Sequence, residues 1–301
     1  MSMESLCRLL GYSKQAYYKR LNYLTQCRFD EALIIEMIER KRIIWKKGSG
    51  RNLHASLQGE LKKHRIKMGR DKFYDLLRRH HLLNPVRKYR TKTTFSYHHF
   101  HKYPNIIKEV VVNRANQVIV SDVTYIWLRD AQKFCYLFLI TDMYSRKILG
   151  YHLSEDLKSV SALTALKMAV NNMSNVRGCI HHSDRGIQYC STEYVACLKR
   201  QGMLISMTEN GDPLENSIAE RINRTIKEEF TRQRQLSFRD FSEARRRIAL
   251  NIKFYNEERP HRSIDMLTPS VAYTKTGQLK RKWKAYYSKE KNPQQLTAVG
   301  E

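Results

Sequence analysis

The chain has 301 residues, of which 55 are Lys or Arg and 29 are Asp or Glu, giving a formal net charge of +26 with 42% apolar residues. This balance excludes an acidic solvating protein, and the apolar content excludes a disordered basic tail. The longest apolar run, Phe134–Ile140, is far short of the ~20 residues a membrane-spanning helix needs. The first residues, Met1 to Glu4, lack the basic start and apolar stretch of a secretory signal.

The charge is uneven. Residues 1–116 carry a net +17 and residues 117–301 a net +9. Clustered positive charge on a folded region points to a polyanionic partner, nucleic acid before an anionic membrane. The six cysteines include no C-x-x-C pair, which predicts free thiols in a reducing compartment. His98 and His101 have no cysteine pair to complete a zinc site.

In chain order, "SMESLCRLLG" predicts a helix stopped at Gly11, and Ser13 is placed to cap a second, "KQAYYKRLNYL". A third helix is expected over 31–47, with Leu33, Ile34, Met37, Ile38 and Ile44 on one side. Two more follow in 52–83: Leu53, Leu57 and Leu61 lie at four-residue spacing, and Phe73, Leu76, Leu77 and Leu83 face inward. Paired helices with short turns serve DNA binding or plain structure, and the surrounding charge favours DNA. Residues 84–112 read as a basic linker. Its "RKYRTK" run suits either a solvated tether or a surface tracking a nucleic-acid backbone.

From residue 117 the period changes. "QVIVSDVTYIWL", "KFCYLFLITDMYS" and "KILGYHLS" predict three antiparallel strands. A helix over 159–173, a strand "GCIHHSD", a helix closing at Gly202, a strand "MLISMT" and two long helices, 212–230 and 240–258, complete a mixed sheet with helices on its faces. Asp212 and Glu215 form a D-x-x-E capping box with Pro213 at the first helical position. That register gives a buried stripe of Leu214, Ile218, Ile222 and Ile226. Asn216, Glu220, Asn223 and Lys227 fall on a polar face, Glu220 and Lys227 two turns apart.

Three acids stand out: Asp122 inside an apolar strand, Asp184 just past the fourth strand and Glu220 on the helix after the fifth. A carboxylate among apolar strand neighbours is costly unless paired or metal-bound.

The blocks "VSDVTYI", "HHSDRGIQY" and "ENGDPLENSIAERINRTIKEEF" resemble the D-D-E catalytic core of transposases and retroviral integrases, with 35 residues between Asp184 and Glu220. The stretch "YNEERPHRSIDMLTP" resembles the YN-x-x-RPH-x-x-L-x-x-x-TP ending of bacterial insertion-sequence transposases. The whole is most similar to the second-reading-frame protein of the insertion-sequence-three family. Two positions depart from that pattern: Val120 stands where Trp is usual, and Leu214 where an aromatic is usual. Neither touches a carboxylate.

The resemblance implies an α/β protein. It would have an RNase H-like, mixed five-stranded sheet over 113–274, an all-α helix-turn-helix DNA-binding region over 1–83 and a polar basic tail over 275–301. It implies Asp122, Asp184 and Glu220 as catalytic metal ligands for two Mg²⁺ ions, with Mn²⁺ able to substitute. It implies DNA contacts by Lys227, Arg224, Asn216 and Asn223, and Thr124 either tuning the Asp122 strand or packing beneath it. Its implied partners are element ends and target DNA, further copies of the chain, and an upstream-frame protein joined by frameshifting, in the cytoplasm and nucleoid of a bacterium and not on a membrane. The implied activity is 3′-end cleavage and strand transfer; the competing readings are a helix-turn-helix DNA-binding regulator or decayed transposase without catalysis, and an RNase H-like nuclease that only hydrolyses.

Overall fold

A computed structural model describes residues 3–84, 100–209, 215–231 and 238–280. The "RKYRTK" run, His98, the Asp212–Leu214 part of the capping box and residues 281–301 lie outside them.

Helices α1 (Met3–Leu9) and α2 (Lys14–Ile44) open the chain. Ser13 caps α2 as predicted, its hydroxyl accepting from the Ala16 amide at 3.0 Å. The second and third helices expected from the sequence are one, and α2 runs unbroken for 31 residues. The intervening "TQCRFD" has no Gly or Pro to stop a helix. It instead supplies helical side-chain bonds, Thr25 Oγ1 to the Leu21 carbonyl and Gln26 Nε2 to Asp30 Oδ1.

Helices α3 (Gly50–Lys63) and α4 (Arg70–Arg79) follow, and Leu53, Leu57, Leu61, Phe73, Leu76 and Leu77 are buried as their spacing predicts. Leu83 is exposed instead of inward. His81 takes a left-handed conformation (φ 54°) that turns the chain and leaves Leu82 to pack on the core.

Strands β1 (Val118–Leu128), β2 (Lys133–Asp142), β3 (Ile148–Ser154), β4 (Ile180–Ser183) and β5 (Leu204–Met207) form one mixed sheet in the order β3-β2-β1-β4-β5. β1, β2 and β3 pair antiparallel, whereas β1–β4 and β4–β5 are parallel. This is the five-stranded mixed sheet expected from the sequence.

Both faces are covered. Ile119, Phe138, Ile140 and Ile205 pack against α5 (Ser159–Asn171), α6 (Ile187–Cys190) and α7 (Thr192–Arg200). On the other face Ile126, Leu137, Leu139 and Leu153 share one core with α8 (Ser217–Thr225), α9 (Phe241–Glu257) and helices α2 to α4. Covering both faces explains why β2 reads as continuous apolar sequence rather than an alternating one. At Gly150 a Cβ would come within 2.2 Å of the Ala165 carbonyl oxygen, so glycine sets the closeness of α5 to β3. The short α10 (Pro269–Tyr273) follows. The chain stays tied to the body past residue 275, since the Gly277 amide donates to the Asn113 carbonyl.

The six cysteines are free, and all but half-buried Cys27 are buried. Among the described residues no helix is long and apolar enough to cross a membrane.

The "YNEERPH" segment is a structural clasp. The Asn256 side-chain amide bonds both the N–H and the C=O of Ile148 at 2.9 Å, docking α9 on β3. The buried Arg259 guanidinium makes a two-pronged ion pair with Glu229 at 2.6 and 2.7 Å and a 2.8 Å contact with His261. Trp45 Nε1, just past α2, donates to the same Glu229 carboxylate at 2.5 Å, and the Lys47 amide donates to the Glu229 carbonyl at 3.0 Å. One acid thus joins three distant segments of the chain.

Candidate active site

β4 stops at Ser183, paired with Ser121 of β1. β1 continues beyond it, so Asp122 and the residues after it lie past the carboxyl end of a parallel strand. In open α/β sheets ligands bind in such crevices. Asp122 and Asp184 therefore emerge side by side, each one residue beyond the last β1–β4 pair.

Each carboxylate has local support. Asp122 Oδ1 accepts from the Val123 amide at 2.8 Å, and Oδ2 accepts from Asn223 Nδ2 at 2.7 Å. Asp184 Oδ1 accepts from the Gly186 amide at 3.1 Å. Burial pushes the Asp122 carboxyl up to about 7, helped by the Asp184 charge and, more weakly, by Glu220; the Asn223 and Val123 hydrogen bonds pull the other way. Asp122, Asp184 and Glu220 are all half-buried, and the charges of the other two both raise Asp122.

Among the described residues no three His, Cys, Asp or Glu side chains close round one point as a metal cluster. The arrangement is a close pair with a third acid reaching from α8. Oxygen-only donors whose charges raise one another fit a hard divalent cation, which relieves the repulsion.

α8 differs from its expected extent. It begins at Ser217 after Asn216, and the Glu215 carboxylate, assigned by sequence to a capping box, accepts from the Glu209 amide at 2.6 Å and faces Lys108. Beyond Thr225 the helix widens into a π turn, Ile226–Phe230, closed by Thr231 N to the Ile226 carbonyl at 3.1 Å. Glu229, gripped by Trp45, Lys47 and Arg259, lies in this turn, and so does half-buried Lys227.

Ile222 and Ile226 are buried and Ile218 partly so, as the stripe predicts, while Leu214 lies outside the described residues. The expected polar face is not a solvent face along its length. Asn216 and Asn223 are 6% and 5% exposed, with amide groups bonded to the Ser121 carbonyl and to Asp122. Arg224 is exposed. Thr124 is buried on the Asp122 side of β1.

Sequence reasoning missed three features. His182 reaches through its two ring nitrogens to Ser206 Oγ (2.9 Å) and the Glu215 carbonyl (3.1 Å), tying the approach to α8 to the strand that precedes Asp184. His181 is buried against Ser121 and Tyr194. Burial lowers both imidazoles, His182 to about 4 and His181 to about 3. The "HHSD" string was the available signal, since two histidines in a buried strand need partners. The third feature is Tyr125. Its phenol is pushed up by burial first, then by Tyr136, Asp122 and Asp184, which places it within electrostatic reach of both acids.

The integrase core domain family matches residues 112–213, and a second integrase core domain family matches 201–269. The chain is 30% identical over 279 residues to the "Insertion element IS600 uncharacterized 31 kDa protein" of Shigella sonnei, covering 91% of this chain and 99% of that one. It is 36% identical over 114 residues to the transposase InsF for insertion sequence IS3A of Escherichia coli (strain K12), covering 38% and 39% of the two chains. A solved simian T-cell lymphotropic virus intasome, in complex with PP2A regulatory subunit B56 gamma, is similar at 13% identity and a TM-score of 0.44, over 77% of this chain and 76% of that one. The near-full-length likeness to an insertion-element protein, with the integrase core falling on the sheet and its acids, establishes that this chain belongs to the insertion-sequence-three family of D-D-E transposases.

Proposed function

We propose that the protein cleaves the 3′ ends of an insertion element and joins the freed 3′-hydroxyls to target DNA. The observation that carries this reading is the pairing of Asp122 with Asp184 past the end of β4, with Glu220 close enough to add to their repulsion.

Asp122 and Asp184 would hold two Mg²⁺ ions, with Glu220 completing one shell and Mn²⁺ able to substitute. Bound there, paired divalent ions activate the attacking oxygen and stabilise the leaving one. The chain's own residues set the stage. Asn223 holds Asp122 Oδ2 and Val123 holds Oδ1, so the carboxylate is fixed in orientation before any ligand arrives. Asn216 anchors the first turn of α8 to β1, which fixes where Glu220 stands. Lys227 and Arg224, further along the same helix, contact DNA phosphates. Asn216 and Asn223 support that face from beneath.

Residues 1–83 contribute further DNA contacts, with 84–112 as linker and 275–301 as tail to the catalytic region. The active form is an oligomer on DNA, and in the cell a fusion with the product of an upstream frame, acting at the nucleoid.

The test is a strand-transfer assay with Mg²⁺ on labelled element-end DNA. It compares this chain, the upstream-frame fusion, and Glu220→Gln in each. Joined products that vanish with Glu220→Gln are expected. Nicked products without joining would point to a nuclease, and binding without either, even in the fusion, to a regulator. Binding should weaken steeply as salt rises, because Lys and Arg contacts to phosphate release counterions. A flat salt dependence would remove residues 1–83 from the DNA-binding surface.

A further inference from the structure

The β1–β2 hairpin carries a group of aromatic side chains that the carboxylate chemistry does not use. In the register of the pair, Tyr125 lies opposite Tyr136 and Trp127 opposite Phe134, so all four rings share one face. They touch edge to face, with centroids 5.2 Å apart for Tyr125–Tyr136, 5.9 Å for Tyr125–Phe134 and 4.9 Å for Trp127–Phe134. Such rings ordinarily close a core. Here Tyr125 is 37% and Phe134 48% exposed.

Their position relates them to the acids. Beyond Ser121 the outer edge of β1 has no strand partner among the described residues until the bridge from Leu128 to Phe238. Asp122 points to the α8 side of that open stretch, as its bond to Asn223 shows, and the rings occupy the opposite side three to five residues further on. A strand with a phosphate at Asp122 and Asp184 can therefore cross the β1 edge and meet the rings within a few nucleotides. Arg129 and Lys133 flank the hairpin tip, each about half exposed and ion-paired, Arg129 with Asp130 at 3.2 Å and Lys133, which leaves β2 on the face opposite the rings, with Glu155 at 2.8 Å. On a chain of net charge +26 this is the combination used to hold single strands: cations for the backbone and π faces for the bases.

We propose that the Tyr125, Trp127, Phe134 and Tyr136 cluster is a stacking platform for unpaired nucleobases flanking the phosphate held at Asp122 and Asp184. This rests on the reading of the chain as acting on DNA, and it adds that DNA is engaged there with its bases unstacked. The requirement is a π face of any base, so the platform is tolerant of sequence.

The full chain is tested with an oligonucleotide duplex carrying a short unpaired tail at one end, against the same duplex with blunt ends. A fluorescent adenine analogue sits in the tail. The unvaried protein is expected to bind the tailed duplex more tightly and to quench the analogue. Tyr125→Leu and Phe134→Leu, which keep apolar bulk but remove the ring, should each reduce the preference for the tail by about tenfold and leave blunt-duplex binding unchanged. Tyr125→Phe should keep both the preference and the quenching. Both positions are open to solvent, so the leucine variants should retain the circular dichroism of the parent.

Equal tail preference in the parent and both leucine variants would overturn the platform while leaving the DNA reading intact. So would a parent that binds both duplexes equally. A shift from dimer to monomer in Tyr125→Leu, with tail preference unaltered, would assign the patch to self-association and also overturn it. A parent that binds neither duplex would remove the DNA reading itself.

Discussion

The first thirty residues and the fifty that follow are both helical, basic and rich in large apolar side chains, yet they are held in opposite ways. Ile34, Ile38, Trp45, Leu57 and Phe73 are wholly buried in a core shared with the catalytic sheet, whereas Leu9 is 77% and Phe29 65% exposed. The boundary falls within one unbroken helix, α2. Amphipathic spacing shows that a face exists to be covered, but not what covers it. The second half of α2 meets α3 and α9 in the core that also takes in the sheet. The first half meets little beyond α1.

The sharpest way to break this contrast is at the clasp that fastens the buried half. Glu229→Ala would leave the Arg259 guanidinium buried without its anion, and Trp45→Ala would empty a fully enclosed site. Each should cost about 3–5 kcal/mol in chemical denaturation. A loss below about 1 kcal/mol for both would mean that helices α2 to α4 are not anchored there.

Acid comes next. His181 and His182 are kept neutral by burial, with folded values near 3 and 4 against an ordinary 6.5. At these two sites the unfolded chain binds more protons, so their contribution to stability is lost as pH drops from about 6.5 toward 3, while Asp122 and Asp142, raised to about 7 and about 6, contribute in the opposite sense over the same range. Replacing His182 with Gln should flatten part of that slope in pH-dependent melting. An unchanged slope would contradict its burial.

A smaller effect is expected at Asn223. Asn223→Ala removes one hydrogen bond to a charged group, costs about 1–2 kcal/mol, and should raise the Asp122 carboxyl above its value near 7, because that bond favours the ionised form. A downward shift on NMR titration would reverse the assignment. Smallest of all, Leu9→Ser or Phe29→Ser in the exposed half should change stability by less than about 0.5 kcal/mol. A cost of several kcal/mol would show that a partner already covers this face in solution.

Much of this was legible in the sequence, for reasons that differ by region. The first three strands were readable because both-face burial writes long β-branched and aromatic runs, and the short β4 and β5 from apolar residues beside turn signals. Ser13 was readable as a cap because capping is local. The spacing of Asp122, Asp184 and Glu220 carried the family resemblance, and the sheet brings Asp122 and Asp184 to one strand end. What failed depended on distant contacts. Nothing within residues 212–230 announces that Glu215 will bond the Glu209 amide, or that Trp45 and Arg259 will grip Glu229 in a π turn. The polar face read for α8 is partly buried because β1 offers Asn216 and Asn223 a carbonyl and a carboxylate. The separation of the helices over 14–24 and 31–47 failed for a local reason, since residues 25–30, whose side chains bond within the helix, were left out of both.

The central claim is that Asp122, Asp184 and Glu220 form one electrostatic site made for divalent cations. Its most direct test is the titration of the Asp122 carboxyl carbon by NMR, with and without Mg²⁺. The account predicts an inflection near 7 in the metal-free protein, lowered by Asp184→Asn and displaced strongly downward by Mg²⁺. An inflection in the ordinary carboxylate range, unmoved by either, would contradict it.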